Sequence, residues 1–250
     1  MLRAGPASRF DVKATPAVAR ITASLPAFAA VLLVLAVPAF WPDYLGKLLA
    51  VDALTHVHAL FGLLWLLLLV SQPLLIRAQQ PARHRGLGRL GIAVGAGFVV
   101  SSLLLTHHRA SRMDDELFAR VGSGFYLPLV MAVLFAAALA LALIWRRAMP
   151  LHGRYMACTA LALIDPLTAR LLHFYGPPLP APLLYQVPAF TIIVAVLFAL
   201  LRTLPPATPG RGVFAAFAAA STALLLLYFV TPYSAGWMRL LDAFRALPLT

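Results

Sequence analysis

THVHALFGLLWLLLLVSQPLLIRAQQPARHRGLGRLGIAVGAGFVVSSLLLTHH, residues 55–108, decides the fold. It opens on His56 and His58 and runs apolar through Trp65 to Ile76. It turns through the basic loop Arg83-His84-Arg85-Gly86-Leu87-Gly88-Arg89, runs apolar again and closes on His107-His108. Two apolar runs, each long enough to cross about 30 Å of hydrocarbon, joined by a short basic turn, predict a helical hairpin in a membrane.

Composition extends that reading to the whole chain. Of 250 residues 62% are hydrophobic and 11% charged, and mean hydropathy is +0.89. A soluble domain carries about 25% charged residues, so most of this chain faces lipid or other helices. Seven runs qualify as spans: 24–41, 54–76, 87–107, 123–145, 153–174, 184–203 and 213–231. Each is expected to be helical, because an open strand leaves backbone groups unpaired in lipid and no run alternates in polarity as a barrel strand does. The expected fold is an all-α polytopic bundle with a four-helix core, spans two to five. A basic cytoplasmic tail (1–23) precedes the membrane domain (24–231), and a C-terminal tail (232–250) follows it.

The net charge of +12 does not point to nucleic acid, since the basic residues lie in short loops between apolar runs. Placing the N-terminus inside gives 13 Lys and Arg on the inner side and 7 on the outer. The positive-inside bias then orients the chain N-inside and C-outside. The lone Cys158, inside an apolar run, has no intrachain partner for a disulfide and no CxxC neighbour.

The turn between spans two and three resembles that between spans four and five. Leu75-Ile76 precedes His84 as Leu143-Ile144 precedes His152. Pro81 and Pro150 lead each His, and Arg85 and Arg154 follow. This predicts a parallel repeat of two hairpins. Gly91 with Gly95, and Ala216 with Ala220, form small-xxx-small steps suited to close helix packing. Pro177, Pro178, Pro180 and Pro182 stiffen the loop before span six.

Chemistry has two candidate locations. At the outer face, His58 shares a helical stripe with Trp65 and Gln72, which favours it over His56 as the interior residue, since residues two apart point about 200° apart. Ser101 favours His108 over His107 by the same reasoning. His58, His108 and His173 are therefore expected ligands for haem b or a divalent transition metal. Asp165, Arg170, Gln72 and Ser101 are expected to tune those ligands or relay protons. Asp165 is the informative carboxyl, because a charge at its depth costs roughly 2.5–3.5 kcal/mol. Its alternative is a structural carboxyl paired inside the bundle. At the inner face, His84, Arg85, Arg89, His152 and Arg154 form a cationic collar expected to meet anionic lipid headgroups or phosphate.

His58, Trp65, Gln72 and His84-Arg85-Gly86-Leu87-Gly88-Arg89 resemble an uncharacterised group of multi-pass bacterial inner-membrane proteins. So does the second turn, His152-Gly153-Arg154-Tyr155-Met156, with Pro166 and Ala169-Arg170-Leu171 beyond it. The resemblance covers about residues 53–175 and implies a bacterial inner-membrane location. The four-helix core also resembles di-haem cytochromes b, which would imply a membrane redox partner. Those take four histidines from one pair of helices, whereas here they are spread over spans two, three and five. The sequence thus predicts a metal- or haem-binding membrane protein, with the lipid bilayer as its surroundings. A transporter with Asp165 in its path and a metal-dependent membrane hydrolase are the alternatives.

Overall fold

In the computed structural model the described residues are 16–179 and 182–250, with side-chain environments from Ser24 onward and outside 180–183. Ten α-helices order the described residues. They are α1 (Pro16–Phe40), α2 (Ala53–Arg77), α3 (Pro81–Ser111), α4 (Asp115–Val121), α5 (Tyr126–Ile144), α6 (Met149–Leu161), α7 (Ile164–Tyr175), α8 (Gln186–Thr203), α9 (Arg211–Tyr228) and α10 (Ala235–Arg245). No strand occurs among the described residues. Six stretches are long and apolar enough to cross a membrane: Ala53–Arg77, Pro81–Ser111, Asp115–Ile144, Met149–Tyr175, Gln186–Thr203 and Arg211–Tyr233. Ser24–Phe40 adds a shorter apolar helix. Apolar side chains such as Val34, Leu60, Val100, Val133, Phe198 and Leu226 are exposed on the outside of the bundle, as a lipid-facing surface requires. This is an all-α, multi-pass membrane bundle.

Short connections make successive spans antiparallel. Residues 78–80, 145–148 and 204–210 lie at one end of the bundle, the turn face; 41–52, 112–125, 176–179, 182–185 and 229–234 lie at the other, the far face. Helix α3 packs between α2 and α5, α5 packs on α6, and α1 lies across α2, α6 and α7. Helices α8 and α9 pair with each other and close the other side, α8 on α7 and α9 on α6.

Proline starts both turn-face helices. Pro81 and Pro150 occupy the first turns of α3 and α6, where a missing N–H costs nothing. At the other end of α2, Asp52 caps the helix: Oδ1 accepts from the Thr55 N–H (2.9 Å) and Oδ2 from its hydroxyl (2.8 Å). Partial burial raises the Asp52 pKa, but these hydrogen bonds outweigh it and leave the carboxyl below its ordinary value.

The expected fifth span, 153–174, is not one helix. It breaks between Leu161 and Ile164 into α6 and α7. Pro166 explains the break, since it has no N–H for the carbonyl four residues back, at Ala162, and its ring crowds that turn. The C-terminal segment, expected as a tail, includes α10, which buries Trp237 and Leu241. Helix α1 begins inside the expected basic tail, whose first fifteen residues lie outside the described ones. Pro180 does too.

The α2–α3 seam follows the stripe His58, Trp65, Gln72. His58 meets Ser101, Trp65 meets Gly95, and Gln72 meets Gly88. The middle contact is the tightest. A Cβ at Gly95 would lie 2.6 Å from Leu139 Cδ2 and 2.8 Å from Trp65 Cζ3. Gly91 is looser, at 3.6 Å from Leu68. The step at Ala216 and Ala220 packs nothing comparable, because Ala216 is exposed.

Gly95→Ala is expected to destabilise the detergent-solubilised protein by about 1–3 kcal/mol through overpacking. Gly212→Ala, with nothing within 4 Å of the added Cβ, is expected to change stability by less than about 0.5 kcal/mol. Equilibrium unfolding in mixed micelles measures both.

Candidate functional site: an arginine-walled cavity at the turn face

The far-face histidines do not assemble. His58 stacks on Phe98 (centroids 4.9 Å apart), and its Nδ1 lies 3.1 Å from Ser101 Oγ. The Ser101 hydroxyl donates to the Phe98 carbonyl (3.1 Å), so its oxygen accepts from the His58 Nδ1–H. His56 turns away from this seam to Tyr44 (3.1 Å). His173 is exposed against Phe174 and Tyr185.

The choice of His108 over His107 needs correcting as a choice of buried residue. His107 is fully buried; His108 is half-buried on the side facing Asp52. His107 Nε2–H donates to the Leu247 carbonyl (2.9 Å), which leaves Nδ1 to accept from the Thr250 hydroxyl (2.7 Å). Both nitrogens are committed to the C-terminal segment, and the ring packs edge-on against Phe244. Among the described residues no group of three or more His, Cys, Asp or Glu is close enough to hold a metal ion. The expected set His58, His108 and His173 is not gathered: His58 lies on Ser101 and Phe98, and His173 on Phe174 and Tyr185.

Asp165 and Arg170 part company as well. Arg170 Nε lies 3.6 Å from Asp43 Oδ2 in the α1–α2 connection, with its guanidinium over the Phe40 ring (4.8 Å). Asp165 is buried in the first turn of α7, and its Oδ1 has no hydrogen-bond partner. The α6–α7 break sets it there, at a helix start whose dipole favours a carboxylate.

The turn face is different. A cavity of about 500 Å³ opens between α2, α3, α5 and α6. Trp65, Leu68, Leu69 and Leu139 form its apolar part; Gln72, His84, Arg85, Arg89, Arg146, His152 and Arg154 form its polar wall. Both halves of the repeat contribute, and both histidines are tied back to the preceding helix of their own hairpin. His152 Nδ1–H donates to the Ala142 carbonyl (2.8 Å). The Gln72 amide satisfies its neighbours when its nitrogen donates to His84 Nδ1 and to the His84 carbonyl while its oxygen accepts from the Gly88 N–H. For the neutral rings these bonds correspond to opposite tautomers: His84 has an Nε2–H donor, and His152 has an Nε2 lone pair.

Arg154 is the unusual member. It is 1% exposed. Nη1 donates to the Pro150 carbonyl (2.7 Å), but Nε and Nη2 have no partner. A buried cation without a counter-ion is expensive, so this one calls for an anion. Gly210 lies against it: a Cβ there would fall 3.0 Å from Nη1 and 2.9 Å from Leu151, at φ +77°. Only glycine accepts both the left-handed backbone and the close approach. Trp65 Nε1–H is a second buried donor without a partner.

Among the described residues no acid neutralises this wall. Seven of the eight carboxylates, Asp43, Asp52, Asp114, Asp115, Glu116, Asp165 and Asp242, are described, and none of these lines the cavity. The ion pairs among the described residues, Arg170–Asp43, Arg245–Asp115 and Arg245–Asp242, belong to the far face. The sequence signal for the cavity was the repeated Pro-His-Arg turn. The burial of Arg154 had no signal, because an arginine nine residues beyond Trp145 reads as one more loop cation.

Comparison with family models, with characterised proteins and with solved structures finds no match to this chain.

His107→Ala is expected to free the C-terminal segment. Hydrogen exchange at residues 246–250 should rise by about tenfold or more, with the cavity unchanged. Unchanged exchange there would mean that His107 does not hold the segment.

Proposed function

We propose that this protein is an inner-membrane protein of bacterial type that binds an anionic ligand in the turn-face cavity. Its α1 serves as a seventh span, and its turn face is cytoplasmic. The observation that carries the reading is Arg154, buried, with Nε and Nη2 unpartnered in the cavity wall. A guanidinium fork matches the oxygens of phosphate or carboxylate. The orientation is supported by charge: Arg77, Arg83, Arg85, Arg89, Arg146, Arg147, Arg154, Arg202 and Arg211 stand at the turn face with no acid among the described residues there. The far-face metal or haem reading, and the hydrolase that would depend on it, have no such gathered group.

Asp165 favours a second reading, transport coupled to a proton. A buried mid-span carboxyl with an unpartnered oxygen is a proton carrier when it is reached from either side. In that case Asp165→Asn folds normally and abolishes proton-coupled uptake in proteoliposomes. Uptake at the wild-type rate would exclude the role.

For the principal reading, wild-type protein extracted in mild detergent is expected to carry an anionic small molecule in native mass spectra. Arg154→Gln should lose it by about tenfold or more, and Arg154→Lys should retain part of it. Equal occupancy in folded Arg154→Gln would contradict the site.

A further inference from the structure

The same wall says which anion. We infer that the ligand is a lipid whose headgroup ends in a phosphate monoester, with its phosphate on Arg154 and its hydrocarbon tail along Trp65, Leu68, Leu69 and Leu139. The inference rests on the anion-binding reading of the cavity and narrows it.

Charge is the first argument. Among the described residues the wall presents Arg85, Arg89, Arg146 and Arg154 and no carboxylate. A fatty acid or a phosphodiester brings one negative charge. A terminal phosphate brings about 1.5 to 2 near neutral pH, with three oxygens to share among several arginines.

Protonation is the second. In the neutral form the two imidazoles of this wall present complementary nitrogens, a donor on His84 and an acceptor on His152. A phosphate monoester titrates near pH 6, so its two forms lie close in free energy at neutral pH: both offer an ionised oxygen for His84, and the monoanion adds a P–OH for His152. A phosphodiester or a carboxylate, ionised at neutral pH, has no proton to give.

The tail is the third. Trp65 is seven helical residues from Gln72, about 10 Å deeper along α2. The space beside Trp65, Leu68, Leu69 and Leu139 is apolar and lies inside a membrane-spanning bundle. A bare inorganic anion would leave it empty, whereas a hydrocarbon chain continuous with the headgroup fills it.

The test uses full-length protein in phosphatidylcholine nanodiscs and four probes that share one scaffold: oleoyl lysophosphatidic acid, oleoyl lysophosphatidylglycerol, monoolein and glycerol phosphate. Native mass spectrometry reads occupancy. Lysophosphatidic acid is expected to bind at least about tenfold more tightly than each of the others. The exposed pair Arg85→Gln/Arg89→Gln is expected to weaken it about three- to tenfold without disturbing the fold. Equal binding of lysophosphatidylglycerol would overturn the terminal phosphate. Equal binding of glycerol phosphate would overturn the tail and leave the anion site standing. Equal binding of monoolein, or binding of no probe, would overturn the inference. The loss of the co-purifying ligand in Arg154→Gln decides the cavity separately. A Soret band in the purified protein that scales with occupancy would also overturn it, since haem propionates and imidazole would then account for the same wall.

Discussion

The bundle turns on one contact, where the missing side chain of Gly95 lets Trp65 of α2 and Leu139 of α5 meet over α3. In a bilayer there is no hydrophobic drive to bring helices together, so close packing must hold them. Trp65 and Leu139 are both nearly inaccessible, and both also line the turn-face cavity. The residues that fasten three helices at mid-membrane are thus the floor of the site. Fold and cavity share a foundation, and a lesion at Gly95 is expected to reach both.

Above that floor, the repeat supplies the wall. Each hairpin begins its second helix with a proline and places a histidine within the first turn, tied back to its own hairpin. These ties fix the rings without using all their nitrogens. The arginines come from the same turns, which is why positive charge collects at one end. The far face has the opposite character. There the cations meet acids, Arg170 facing Asp43 and Arg245 facing Asp115 and Asp242, and His107 is held by the C-terminal segment. At the turn face Arg154 has no such acid among the described residues.

Much of this was readable in the residues. Apolar run length placed the spans, because lipid thickness fixes helix length. The seven-residue step from His58 through Trp65 to Gln72 identified the α2 face that meets α3. The paired Pro-His-Arg turns marked residues that line the cavity. Three things were not readable. The kink at Pro166 divides a stretch whose apolar length reads as one continuous span, and hydropathy does not report a lost hydrogen bond. The α10 helix is too amphipathic to register as a span, and its docking is what buries His107 instead of His108. The burial of Arg154 depends on the loop ending at Gly210, more than fifty residues away in sequence. Periodicity within one helix carries no information about which distant loop covers it.

The central claim is that the turn-face cavity holds an anion on Arg154. A cryo-electron density map of the protein taken directly from membrane into nanodiscs tests it most directly. The account predicts continuous non-protein density from Arg154 Nε and Nη2 into the space beside Trp65 and Leu139. Density absent from that space, with Arg154 turned to pair with another protein group, would contradict it.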